Sequence, residues 1–119
     1  MRWPVLAAVA VAFLAGGCRR AAESAPVLHV ASEHSAGTTR LSLVAAPGIR
    51  INARVKPALE LPDGTILRFD SPYQTADSSY FIRPPTAALA GERQRVEGTL
   101  RASVCETGAL VCRSVVLRL

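Results

Sequence analysis

The chain has 119 residues, with 14 Lys and Arg against 9 Asp and Glu for a net charge of +5, and half of its residues are hydrophobic. That length accommodates one small domain with its own core. The charges are scattered singly, without the basic stripe that follows a phosphate backbone, so they carry no signature of nucleic-acid binding; solubility, with a weak attraction to anionic lipid, is their simpler use.

The N-terminal stretch MRWPVLAAVAVAFLAGG has one charge, Arg2, and is apolar or small from Val5 to Gly17. It reads as a secretory signal peptide over 1–17, shorter than the about 20 residues a membrane-spanning helix needs. Leu14-Ala15-Gly16-Gly17-Cys18 resembles the lipobox of bacterial lipoproteins, with Ala15 where Leu is commonest. The resemblance implies that Cys18 is diacylated and becomes the new N-terminus, and two acyl chains anchor a domain stably at about 0.8 kcal/mol per buried methylene. An ordinary signal peptide with an incidental cysteine is the competing reading. Arg19, not Asp, follows Cys18, which resembles the outer-membrane sorting pattern of Gram-negative lipoproteins; inner-membrane retention is the alternative.

Residues 18–26 are small and polar and read as a lipidated tether, so the domain is expected over 27–119. Short runs there alternate apolar and polar between Pro, Gly, Asp and Ser, with no helical period over ten or more residues. Strands are predicted at Val27 to Ala31, Thr39 to Ala45, Ile49 to Val55, Leu59 to Leu61, Thr65 to Phe69, Tyr80 to Ile82, Arg95 to Cys105 and Val111 to Leu119. Ile49, Ile51, Ala53 and Val55 are expected to face inward. Ala46-Pro47-Gly48 and Leu61-Pro62-Asp63-Gly64-Thr65 carry turn chemistry, and Pro84 to Gly91 is expected to be a connector with at most a helical turn. Seven or eight short strands predict an all-β, immunoglobulin-like β-sandwich, with a small barrel as the alternative.

The histidines His29 and His34, accompanied only by Glu33, are too few for a metal site and read as solvated surface. No nucleophile elbow, Ser-His-Asp context or phosphate-binding glycine loop is present. Neither a metal nor a cofactor is expected.

The chemistry-bearing residues are in SVCETGALVCRS, which holds Cys105 and Cys112. Export places them in an oxidising compartment. With Cys18 used for lipid, they pair with each other, remain a dithiol, or react with a partner. Strand phase puts Cys105 beside Arg101 and Ser103, opposite Leu100, Ala102 and Val104, and puts Cys112 on the polar side of the last strand. A hairpin through Glu106-Thr107-Gly108-Ala109-Leu110 would set the two across from each other on one accessible outer face. Nearby Arg101 and Arg113 favour a thiolate while Glu106 opposes it. On these residues alone a structural cystine leads, stabilising by about 2.5 kcal/mol on the loop-entropy model.

PGIRINARVKPALEL, a loop with Pro72-Tyr73, and VEGTLRASVCETGALVC followed by an apolar strand together resemble the N-terminal periplasmic domain of the thiol:disulfide interchange protein DsbD. The resemblance runs from Gly48 to the end of the chain. It implies an immunoglobulin-like fold in which Cys105 and Cys112 form a redox relay, exchanging with thioredoxin-like proteins and a membrane thiol transporter. Six residues separate the cysteines, one more than is usual in the family, and Arg113-Ser114 replaces the prolines that often follow the second. The family's aromatic-bearing covering loop has its candidates in Tyr73 and in Ser79-Tyr80-Phe81. The implied function is a lipid-anchored thiol-disulfide relay; the alternative is a non-catalytic binding or assembly lipoprotein with a structural Cys105–Cys112 bridge.

Overall fold

A computed structural model describes residues 26–108 and 111–119. The expected signal peptide, the lipidated Cys18 and the tether up to residue 25 lie outside these residues. The described chain is all-β: β1 (Leu28–Ser35), β2 (Thr38–Ala45), β3 (Ile49–Ile51), β4 (Ala58–Glu60), β5 (Ile66–Arg68), β6 (Thr86–Ala90), β7 (Thr99–Glu106) and β8 (Cys112–Arg118).

These strands form two antiparallel sheets. One has the order β1-β2-β6; in the other, β7 is central, with β3 and β4 on one flank and β8 on the other, and β5 beyond β4. The period-2 alternation decides which faces meet. Leu41 and Leu43 of β2 and Ala87 and Leu89 of β6 point into a core shared with Ile51, Leu59, Leu100, Ala102 and Val104 of the other sheet, around a fully buried Phe69. The arrangement is compatible with a β-sandwich. The sheets are also stitched at one point, where Asp70 and Thr86 exchange both backbone hydrogen bonds at 3.0 and 2.9 Å.

Turn chemistry sets the connections. Ala46-Pro47-Gly48 closes with the Ile49 N–H donating to the Ala46 carbonyl at 3.1 Å and Gly48 at a φ of +79°, and it carries the chain from one sheet to the other. The β1–β2 hairpin turns on Ala36 and Gly37, both at positive φ, the two-residue loop that matches strand twist.

Four expectations about the strands are corrected. The strand expected to run to Val55 stops at Ile51, because the Asn52 side chain accepts the Arg54 N–H at 2.9 Å and the Val55 N–H at 3.4 Å. This Asx turn swings the chain outward, and Val55, assigned inward, is 57% exposed. The Pro84 to Gly91 connector is instead β6, paired with β2 from Ala90↔Thr38 to Thr86↔Ser42. Its alanines have low strand propensity, and burial of Ala87 and Leu89 outweighs that. Tyr80 to Ile82 makes only isolated bridges, Asn52↔Tyr80 and Gln74↔Phe81. The strand expected from Arg95 begins at Thr99; just before it Gly98, at a φ of +155°, lies against the Glu60 backbone.

Candidate functional site

The site is the turn end of the β7–β8 hairpin. The two strands pair in register from Thr99↔Arg118 to Cys105↔Cys112, and the two cysteines form a disulfide with their Cα atoms 4.2 Å apart. That spacing belongs to a non-hydrogen-bonded antiparallel pair, where opposing side chains approach most closely. Beyond Cys105 the chain is held by Thr107, whose N–H and hydroxyl both donate to the Gly48 carbonyl at 2.8 and 3.1 Å. Gly108 takes the positive φ, +84°, that the turn requires. Ala109 and Leu110 lie outside the described residues.

The alternation of β7 places Cys105 opposite the core phase, as its position in the strand predicts, yet the residue is only 2% exposed. The expectation that both cysteines are accessible is therefore corrected. β7 is a central strand, and Cys105 has Arg50 of β3 as its register partner on one side and Cys112 on the other. On a pleated sheet such partners share a face and crowd one another. Cys112 is on the edge strand, with no further strand beside it among the described residues, and is exposed. The disulfide thus joins a covered residue to an open one.

Arg50, Cys105 and Cys112 form a row across three strands. The Arg50 guanidinium lies over the Tyr80 ring, 5.0 Å from its centroid, while Asn52 Nδ2 donates to Ser103 Oγ at 3.5 Å beneath the row. Of the two aromatic candidates for a covering segment, Tyr80 is joined to the row through Arg50. Tyr73 is not: it stacks under Arg83, with the guanidinium 4.0 Å from the ring centroid. The loop that presents Tyr80 is tied by Asp77, which accepts from the Thr75 hydroxyl at 2.7 Å and the Ser79 N–H at 3.1 Å. These bonds lower the Asp77 carboxyl to about 2 from 3.8, the Thr75 hydroxyl contributing most.

The electrostatic surroundings are basic. Arg50 stands beside Cys105 and Arg113 follows Cys112, with exposed Glu106 as the nearest acid in sequence. The role of Arg50 escaped the sequence reading, although its outward position between Ile49 and Ile51 was the available signal; only the β3–β7 pairing brings it to Cys105.

His29 and His34 lie on β1 five positions apart, hence on opposite faces of the strand. His34 Nδ1 is 3.2 Å from Thr39 Oγ1, so the two histidines do not converge. Among the described residues no group of three metal-ligating side chains is assembled, and no helix is long and apolar enough to cross a membrane.

Compared with known proteins, the chain matches no protein-family model, no curated protein and no solved structure.

Proposed function

We propose that the protein is an exported, lipid-anchored domain with an immunoglobulin-like β-sandwich, similar to the N-terminal domain of DsbD, and that its Cys105–Cys112 pair exchanges disulfides with a thioredoxin-like protein or a membrane thiol transporter. The observation that carries this reading is the asymmetric disulfide on the edge of the terminal hairpin, one residue open and one covered. Exchange needs an approachable sulfur, a leaving thiolate and a second thiol nearby, and an exposed Cys112 bonded to its neighbour Cys105 supports the reading.

In the reducing direction a partner thiolate attacks Cys112 Sγ. The intramolecular S–S bond breaks, Cys105 leaves as a thiolate at the position whose register partner on β3 is Arg50, and a mixed disulfide joins the partner to Cys112. The partner's second thiolate then attacks its own sulfur in that bond and releases Cys112 as a thiolate. The partner leaves oxidised, and the domain, after taking up protons from water, is a dithiol. In the reverse direction Cys112 attacks a partner disulfide and Cys105 resolves the intermediate.

Burial of Cys105 favours a second reading, a structural staple in a non-catalytic binding or assembly lipoprotein. Thiol trapping in cells and the reduction potential separate the two. Under the relay reading, Cys105→Ser captures a thioredoxin-like partner through Cys112, and the potential lies above about −300 mV. No captured partner together with a potential below that value would establish the staple. The anchor is tested separately: Cys18→Ser should abolish incorporation of labelled lipid, and retained label would refute lipidation at Cys18.

A further inference from the structure

Where β2 leaves β6 and the chain crosses to β3, the two sheets part and leave a cleft of about 230 Å³. Leu43, Ile49, Phe81 and Pro84 contribute its apolar lining, and Arg50 and Arg83 are also among the residues that line it. Both guanidiniums are positioned by aromatic rings, Arg50 by Tyr80 and Arg83 by Tyr73. Stacking occupies the face of a guanidinium and leaves its in-plane N–H donors free to meet a carboxylate. Neither arginine is in an ion pair among the described residues; the pair present is Lys56–Asp70, at 2.6 Å. Asp70, in the adjoining cleft with Arg40 and Arg83, is held by Lys56 and by the Ser71 N–H. Two of the residues lining this apolar hollow are therefore arginines outside any ion pair among the described residues, and Ile82, 66% exposed, extends the apolar surface outward.

We propose that this cleft is a docking subsite for an acidic segment of the protein partner, with an apolar side chain seated in the hollow and flanking carboxylates accepting from Arg50 and Arg83. The occupant is read from charge complementarity: two arginines lining one cleft, on a chain with an excess of basic residues, select a negative partner and orient it. Arg50 both lines the cleft and belongs to the row that ends at Cys112, so a partner seated here is near the exposed Cys112 two strands away, about 10 Å at ordinary strand spacing. This identification of the occupant as the exchange partner rests on the relay reading.

The test is an NMR titration of the full chain with a synthetic peptide of core Asp-Leu-Glu-Leu-Asp, against a counterpart carrying Lys at each acidic position. With the acidic peptide, amide shifts at Val44, Ile51 and Ile82 should saturate. Affinity should fall roughly tenfold or more in the Arg50→Gln/Arg83→Gln double variant and weaken with added salt, while Arg68→Gln, outside the cleft, binds as the wild type does. Equal binding of the Lys peptide, undiminished binding by the double variant, or no saturable shift with the acidic peptide would overturn the proposal. The same titration on Cys105→Ser/Cys112→Ser, which cannot exchange, separates the two readings: peptide binding there with no captured partner in cells sinks the relay alone, and a captured partner without peptide binding sinks the docking subsite alone.

Discussion

Cys105 and Cys112 are register partners with Cα atoms 4.2 Å apart, joined by one bond, yet Cys105 is covered by a central sheet position while Cys112 lies open on an edge strand. Reactivity of a thiol follows access as well as thiolate content. After gentle reduction, iodoacetamide should therefore modify Cys112 faster than Cys105, by roughly tenfold or more. Peptide mass mapping over a time course reads the order directly, and equal rates would mean that the hairpin opens on reduction.

Gly98 packs where no side chain fits. A Cβ there would stand 2.5 Å from the Glu60 carbonyl oxygen and 3.0 Å from Leu59 Cδ1, at the start of the β4–β7 pairing. Its φ of +155° is also one that residues with a side chain rarely adopt. Gly98→Ala should cost about 2 kcal/mol or more, combining overpacking with backbone strain. Urea unfolding measures it, with Gly64→Ala, which meets no atom within 4 Å, as the comparison carrying backbone strain alone.

Thr39, with 0% exposure, is a polar hub in the otherwise apolar face of β2. Its hydroxyl donates to the Gly91 carbonyl at 2.8 Å and accepts the Arg93 N–H at 2.9 Å, and His34 Nδ1 is 3.2 Å away. With the hydroxyl proton committed to Gly91, the oxygen can only accept from His34, so Nδ1 carries the proton of the neutral ring. Thr39→Val removes the oxygen while keeping the shape and should cost about 1–3 kcal/mol, with Thr39→Ser recovering most of it. Imidazole nitrogen shifts should report loss of the Nδ1–H preference of His34 in the Val variant alone.

Acid should loosen the Tyr80 loop before it melts the sheets. The Asp77 carboxyl is lowered to about 2 from 3.8, chiefly by the Thr75 hydroxyl and then by the Ser79 N–H. A depressed folded value means that the stabilising contribution is complete above 3.8, shrinks as pH falls through the interval, and is gone below about 2. The amide shift of Ser79 should titrate with the Asp77 value, and Asp77→Asn should flatten that titration while leaving the Val104 amide unmoved. An unchanged Ser79 titration in the variant would show that another group holds the loop.

The elements legible in the sequence were those whose side chains alternate strongly. Leu41 and Leu43 in β2, and Leu100, Ala102 and Val104 in β7, announce their buried faces by period alone. β6 was illegible because Ala87, Ala88 and Ala90 have weak strand preference and follow two prolines; partner strands, not local propensity, make it a strand. The exposure of Val55 was hidden in a side-chain bond from Asn52, which alternation cannot register. At the candidate site, phase located the shared face of Cys105 and Cys112, but phase says nothing about cover. Whether a residue on that face meets water depends on what pairs beside it, and Arg50 reaches Cys105 from more than fifty positions earlier in the chain.

The Cys105↔Cys112 rung is the last in the β7–β8 ladder. Six rungs, from Thr99↔Arg118 to Val104↔Arg113, lie behind it, and on its other flank β7 is paired with β3 and β4. The sulfur–sulfur bond closes the ladder at its last rung before the turn, with the rest of the strand pairing behind it. Under the relay reading, the change of electron content is confined to this one hairpin tip, and a partner would distinguish the two states by the chemistry there.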